Sequence, residues 1–398
     1  MKKLVLCSVL TAVLAFSVLP QAGALAAPAP GAPVQAGHML PPPPKDGRPM
    51  PPRMRRPQLS NAEAAEKLQN AYGYRYSDML RLLNNGHSYS DMNTACLYAY
   101  LADVPVDKVL QLRQPATWGR VRMQLGLTPK LYAERYMQYQ ASYLPADSLV
   151  DSRTALKYLQ QGYPLDDIQR AAKLAQQSGR TLAEVLPLRT VTCDWQQVEH
   201  KLGLAQEHKQ PAPALRGRGQ RSGAGFAGLH VRNMTAQRAA KIFHADYLFS
   251  EAELLLLYDK YGYEGLEDIC LTAYMSKKSL QEIIDLRDKY SWERMRYVLG
   301  LTPEVYFDRC VAYQARRLEE RMDITQKVTK KYMRLGYAMH HINSSYLLAQ
   351  LAGRDIGEVI EMKTPKNFWK DVALRLGLTE ADSKLVKDKI SRDFGRHE

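Results

Sequence analysis

One tryptophan motif occurs four times and uses every tryptophan in the chain. It reads Trp, two residues, Val or Met, three residues, then Leu-Gly-Leu. The copies run from Trp118 to Leu127, Trp195 to Leu204, Trp292 to Leu301 and Trp369 to Leu378. Trp118 and Trp195 lie 77 residues apart, as do Trp292 and Trp369. An offset of 174 carries the first pair onto the second. The same offset lays Cys96 on Cys270, Thr128-Pro129 on Thr302-Pro303, Tyr139-Gln140-Ala141 on Tyr313-Gln314-Ala315, and Gly162-Tyr163 on Gly336-Tyr337. A constant offset without gaps marks a two-unit module present twice, and such a repeat constrains the architecture before any single residue does.

Each unit reads as short helices. Trp118, Val121 and Leu125 share one helical face. Gly126 stands where a left-handed residue closes a helix, and Leu127 makes the apolar contact of such a cap. Thr128 then caps the next helix with Pro129 in its first turn. Thr181 with Glu184, and Ser279 with Glu282, have capping-box spacing. Strand and hairpin signals are nearly absent. The expected fold is all-α: four short-helix units in two duplicated modules, built of helical hairpins stacked side by side, each covering its neighbour's apolar face. The tryptophans, in phase with Val and Leu, are expected in the core.

The N-terminus reads as a secretory signal over residues 1–26. Lys2-Lys3 precede an apolar run from Leu4 to Leu19, and Ala24-Leu25-Ala26 has the small-x-small form of a cleavage site. Residues 27–58 form a Pro-rich arm, with Pro41 to Pro44 in one run, and residues 205–233 a Gly-, Pro- and Arg-rich stretch. Both are expected to be disordered, the second as a flexible linker between module 1 (59–204) and module 2 (234–398). No other stretch is apolar and long enough to span a bilayer. An exported protein of the periplasm or cell envelope is the expectation.

Charge is uneven. The net +14 gathers at residues 27–60, with five Lys or Arg against one acid, and at 205–241, with seven against one. Residues 242–398 balance at 25 of each sign. Basic flexible segments attract polyanions through counterion release, without reading sequence. Arg53, Arg55, Arg56, Arg216, Arg218 and Arg221 are therefore candidate contacts to an anionic envelope polymer. The plain alternative is that these charges keep a spacer extended.

No catalytic signature emerges. HExxH, GxSxG, a Walker loop and CxxC are all missing. Cys96, Cys193, Cys270 and Cys310 lack the dense spacing of a disulfide framework and read as buried thiols. His340-His341 are adjacent and make a poor chelating pair on a helix. Asp166-Asp167 suit the start of a helix. No cofactor, metal or catalytic residue is expected. Tyrosine is over-used, at 24 against seven Phe. Tyr132, Tyr136, Tyr139 and Tyr143 share a helical face, and Tyr136 and Tyr143, which do not recur at the 174 offset, are candidates for a surface meeting a sugar ring or a partner helix.

Two other functions fit parts of the pattern. Polar groups gathered between units would make an envelope enzyme. Ser291 to Pro303 has the form of a helix-turn-helix, but neutral modules and an export signal disfavour specific nucleic-acid binding. Finally, Gly162-Tyr163, Asp167-Ile168, Leu174-Ala175, Gly179, Glu184-Val185 and the motif at Trp195 together resemble exported helical-repeat proteins of Firmicutes-type bacteria. The fourth unit departs by placing His341 before Ile342. The resemblance implies class and location and carries over no site residues.

Overall fold

The computed structural model describes residues 59–145, 147–204 and 234–394. Twenty α-helices, one 3₁₀ turn and no strand occur among them, so the fold is all-α. Contacts divide the chain into two compact units, with described residues 59–112 in one and 113–394 in the other. The signal, arm and linker of the sequence reading lie outside the described residues.

The smaller unit holds α1 (Asn61–Tyr72), α2 (Tyr76–Asn84), α3 (Tyr89–Ala102) and most of α4 (Val106–Arg113). Ser60 and Glu63 form a capping box at the start of α1, and Gly73 ends it in the left-handed region at φ 74°. This satisfies backbone groups that a bare helix end leaves open. α1 packs on α2 and α3, and Leu68, Met79, Met92 and Cys96 are buried.

The larger unit repeats a pattern. Each tryptophan opens a seven-residue helix: α5 (Trp118–Gln124), α10 (Trp195–Lys201), α14 (Trp292–Val298) and α19 (Trp369–Arg375). Each ends at a left-handed glycine: Gly126, Gly203, Gly300 and Gly377, at φ 70°, 71°, 69° and 79°. Thr128 then accepts from Leu131 N–H to cap α6 (Pro129–Ser142), and Thr302 from Val305 N–H to cap α15 (Pro303–Met322). Between these lie α7 (Ser152–Gln160), α8 (Leu165–Ser178) and α9 (Leu182–Val185). Beyond residue 234 come α11 (Ala236–Tyr247), α12 (Glu251–Ser276), α13 (Leu280–Leu286), α16 (Gln326–Arg334), α17 (Met339–Ala352), α18 (Ile356–Met362) and α20 (Glu380–Phe394). α12 breaks at Gly262, whose φ of 65° only glycine adopts cheaply. The expected capping boxes form at Thr181 with Glu184 and at Ser279 with Glu282.

Two apolar cores of this unit can be traced among the described residues. One runs from Ala141 to Val198 around Ile168, Val185 and Leu186; the other runs from Ala239 to Val386 around Leu266, Ile283 and Ile342. The Trp motifs do not stand in an open row. α6 packs on α15, its own counterpart at the 174 offset. A Cβ placed on Gly336 would strike the backbone carbonyl of Gly119, so the fourth copy lies directly against the first. In a linear stack each repeat touches only its sequence neighbours. Here two junctions related by the 174 offset join the Trp motifs. At one, Gly162-Tyr163 meets α14; at the other, Gly336-Tyr337 meets α5.

Candidate binding site

The Gly162 junction is tightly bonded. Val191 N–H donates to Arg287 O at 3.1 Å and to Tyr290 O at 3.0 Å. Thr192 Oγ1 donates to Asp288 Oδ1 at 2.6 Å. Arg294 donates to Gln161 O and lies over the Tyr163 ring, 5.1 Å from its centroid. Beside it, Trp195 Nε1 donates to Asp167 Oδ1 at 2.9 Å. Burial pushes the Asp167 carboxyl up to about 6, against the Trp195 hydrogen bond; Glu293 and Asp166 add to the rise and Arg189 opposes it. Removing water disfavours the charged form, and nearby carboxylates add repulsion.

An open groove of about 690 Å³ runs along α8 and α10 next to Asp167. Asp166, Gln169, Arg170, Lys173, Gln177 and Glu199 give it a polar lining. Arg170 Nη2 bonds Glu199 Oε1 at 2.7 Å and lies 5.6 Å from the Trp195 ring centre. The ion pair and the ring fix the guanidinium in place, and Gln169, Lys173 and Gln177 line the groove beside it. At the 174 offset Arg170 and Glu199 become Ser344 and Ala373, so the groove belongs to the second copy and not to the repeat.

The expected site residues fall in different places. Arg53, Arg55, Arg56, Arg216, Arg218 and Arg221 lie outside the described residues. Tyr132, Tyr136, Tyr139 and Tyr143 form a ladder along α6 with ring centroids 5.9, 6.0 and 4.9 Å apart. Tyr143 is 37% exposed. Tyr136 is half-buried within the ladder, and burial raises its phenol, with Asp166 adding to the rise. Rings three or four residues apart on a helix lie against each other, which withdraws the middle ones from solvent.

The cysteines are buried and free. Burial pushes the thiols of Cys96, Cys270 and Cys310 up to about 12, far from the thiolate form that attacks or ligates. Trp195 and Trp292 are core residues at 6% and 7% exposure, but Trp118 and Trp369 are only half-buried, short of the burial expected for all four. The Asp167–Trp195 bond and the groove beside it escape a reading by spacing. The substitution of Asp167 by His341 at the repeat offset was their one visible sign.

Compared with known proteins, the chain matches no family model, and no characterised protein is significantly similar to it. Among the described residues no helix is long and apolar enough to cross a membrane.

Proposed function

We propose that this is an exported helical-repeat protein that acts by binding at or near the cell envelope, without chemistry of its own. It is akin to the exported repeat proteins of Firmicutes-type bacteria, with two repeated modules presenting binding faces. The uneven charge carries the reading: balanced helical segments alternate with basic ones at 27–60 and 205–241. Arg53, Arg55, Arg56, Arg216, Arg218 and Arg221 supply salt-dependent attraction to an anionic envelope polymer. The groove on α8 and α10 supplies polar selectivity.

The test is binding of anionic wall polymer or anionic vesicles by the mature chain and by a form with those six arginines changed to glutamine. Weaker binding by the glutamine form, and loss of binding as salt rises, support the proposal. Equal binding, or indifference to salt, removes it. N-terminal sequencing of the exported form is expected to start at Ala27, and a start at Met1 removes the export reading.

A second reading rests on Asp167. A carboxyl held near 6 with Glu293 beside it, between two repeat copies, suits a general acid in an envelope enzyme. Turnover of an envelope polymer that Asp167→Asn abolishes, with binding intact, would favour it over pure binding.

A further inference from the structure

The groove on α8 and α10 has a counterpart in the fourth copy, and there a helix covers it. At the 174 offset α8 falls on α17 and α10 on α19. α20 packs on both of these helices. Its Val386 is buried in the apolar core, and Ile390 packs against that core. The positions equivalent to the groove lining include Asn343, Ser344, Leu347, Leu348 and Ala373, which are small or apolar and all buried. A wall of that kind seats the apolar stripe of a helix.

In the second copy the same wall is polar. Lys173 and Gln177 stand where the fourth copy has Leu347 and Leu351, and the Arg170–Glu199 pair stands where it has Ser344 and Ala373. Lys173 is exposed, whereas Leu347 is 7% exposed. Two leucines are kept: Leu174 answers to Leu348 and Leu204 to Leu378. An apolar helix face laid on this wall would strip its polar groups of water and give them no partner. The second copy has therefore lost the seat for such a helix. The fourth copy folds without these polar side chains, so the repeat does not require them.

The groove offers hydrogen bonds of both kinds and no surplus charge. Among its described lining residues Arg170 and Lys173 offset Asp166 and Glu199. The side chains of Gln169, Lys173 and Gln177 form no hydrogen bond or ion pair with another described residue. A glutamine amide both donates and accepts, and so does a hydroxyl. A ligand rich in hydroxyls and without net charge is the match. A greasy ligand finds too little apolar wall, and a polyanion finds the local cations already offset. The groove is open, so a chain can lie in it and run on into solvent at either end. At one end Asp166 lies close enough to raise the Tyr136 phenol, which sets the tyrosine ladder of α6 near that end. Tyrosine rings offer an apolar face to the C–H side of a sugar and keep a polar tip wet.

We propose that the groove of α8 and α10 is a saccharide site, which takes a neutral glycan chain on Gln169, Lys173 and Gln177 with Arg170 and Glu199 as its fixed wall. The proposal rests on the binding reading above and gives the selectivity of the groove a chemical class. Each hydrogen bond to a hydroxyl is modest in water, so several must act together, and their geometry selects the sugar. Between uncharged partners this attraction is not screened by salt. The site is separate from the six arginines of the basic segments and does not depend on them.

The experiment is calorimetric titration of the full chain, at low and at high salt, with two neutral probes: a tetrasaccharide of N-acetylglucosamine and a tetrasaccharide of glucose. Three variants accompany it. The double variant Lys173→Leu with Gln177→Leu carries the residues of the fourth copy, Gln169→Ala is a milder change, and the third form has the six arginines changed to glutamine. Saturable binding of at least one probe is expected, with affinity moving less than ~2-fold between the two salt conditions. The double variant should weaken it at least ~10-fold and Gln169→Ala several-fold. The six-arginine form should bind as the parent chain does. Melting transitions of the variants show whether each is folded, and Gln169→Ala decides if the double variant melts early. Binding of neither probe overturns the proposal, as does unchanged affinity in folded groove variants or a steep loss of affinity with salt. The two readings fail separately. Loss of saccharide binding alone leaves the salt-dependent attraction to anionic polymer standing, and saccharide binding by a chain that ignores anionic polymer leaves only the groove.

Discussion

Arg294 lies 5.1 Å from the centre of the Tyr163 ring and donates to the carbonyl of Gln161, so one guanidinium clamps a turn from another repeat copy by charge and by hydrogen bond. Arg120 stands over Tyr337 at the equivalent place, at 4.6 Å. The first contact joins the second and third copies, and the second joins the fourth to the first. Replacing Arg294 by Ala removes a cation–π contact and a charged donor, and is expected to cost about 1–2 kcal/mol. Urea unfolding of Arg294→Ala checks this; an unchanged midpoint would show that the clamp contributes nothing.

Gly336 and Gly126 separate two roles of glycine. Both are left-handed, at φ 89° and 70°. A Cβ on Gly126 meets open space, whereas one on Gly336 strikes the Gly119 carbonyl. Gly126→Ala is expected to cost about 1–2 kcal/mol from backbone conformation alone. Gly336→Ala should lose more, because neither backbone can move aside. Paired thermal melts decide it: equal losses would mean that the junction is not formed in solution.

Asp167 makes stability depend on pH. Its folded value of about 6 lies above the ordinary 3.8, so the folded state holds the proton more tightly. The stability this provides is complete below 3.8 and is lost as pH rises through about 6. Asp167→Asn keeps an acceptor for Trp195 and carries no charge. It should match the native chain near pH 3.5 and be the more stable of the two at pH 8. Comparing the two forms at each pH cancels His341, whose value is pushed down to about 3 by burial and by His340 and Lys363. A parallel pair of pH–stability curves would refute the assignment.

The tryptophans are not equivalent. Trp195→Ala empties a core position and is expected to cost roughly 3–5 kcal/mol. Trp369→Ala, at a half-buried position, should cost clearly less, and the difference is read from chemical denaturation of the two single variants.

These contrasts mark where the sequence was legible. The seven-residue helices, the four left-handed glycines and the caps at Thr128, Thr181, Ser279 and Thr302 are local patterns, set within three or four residues. They appear where spacing puts them. The packing of Gly336 on Gly119, and the bond from Trp195 to Asp167, join residues far apart in the chain, and no period encodes them. Tyr136 reads as a surface residue because its helical face is polar-tipped, yet neighbouring rings cover it. The groove depends on Arg170 and Glu199 meeting across two helices, which no motif announces.

Nicking offers a test of how the copies cohere. Trypsin is expected to cut at Arg216, Arg218 or Arg221, since the stretch is rich in Gly and Pro. Segments from both sides of 205–233 share the Gly162 and Gly336 junctions, so the two pieces should co-elute on a native sizing column and separate only in denaturant. Separation under native conditions would mean that neither junction survives without the covalent link.

The meeting of the fourth copy with the first sets a limit on descent. An open solenoid lengthens freely, because each new repeat adds one more face to a free end. Here Gly336 and Tyr337 already occupy the surface that a fifth copy would need. A further copy could reach that surface only by displacing the first, whereas residues within the existing copies can change without displacing any. The difference between Arg170, Lys173 and Glu199 in one copy and Ser344, Leu347 and Ala373 in another is change of that kind.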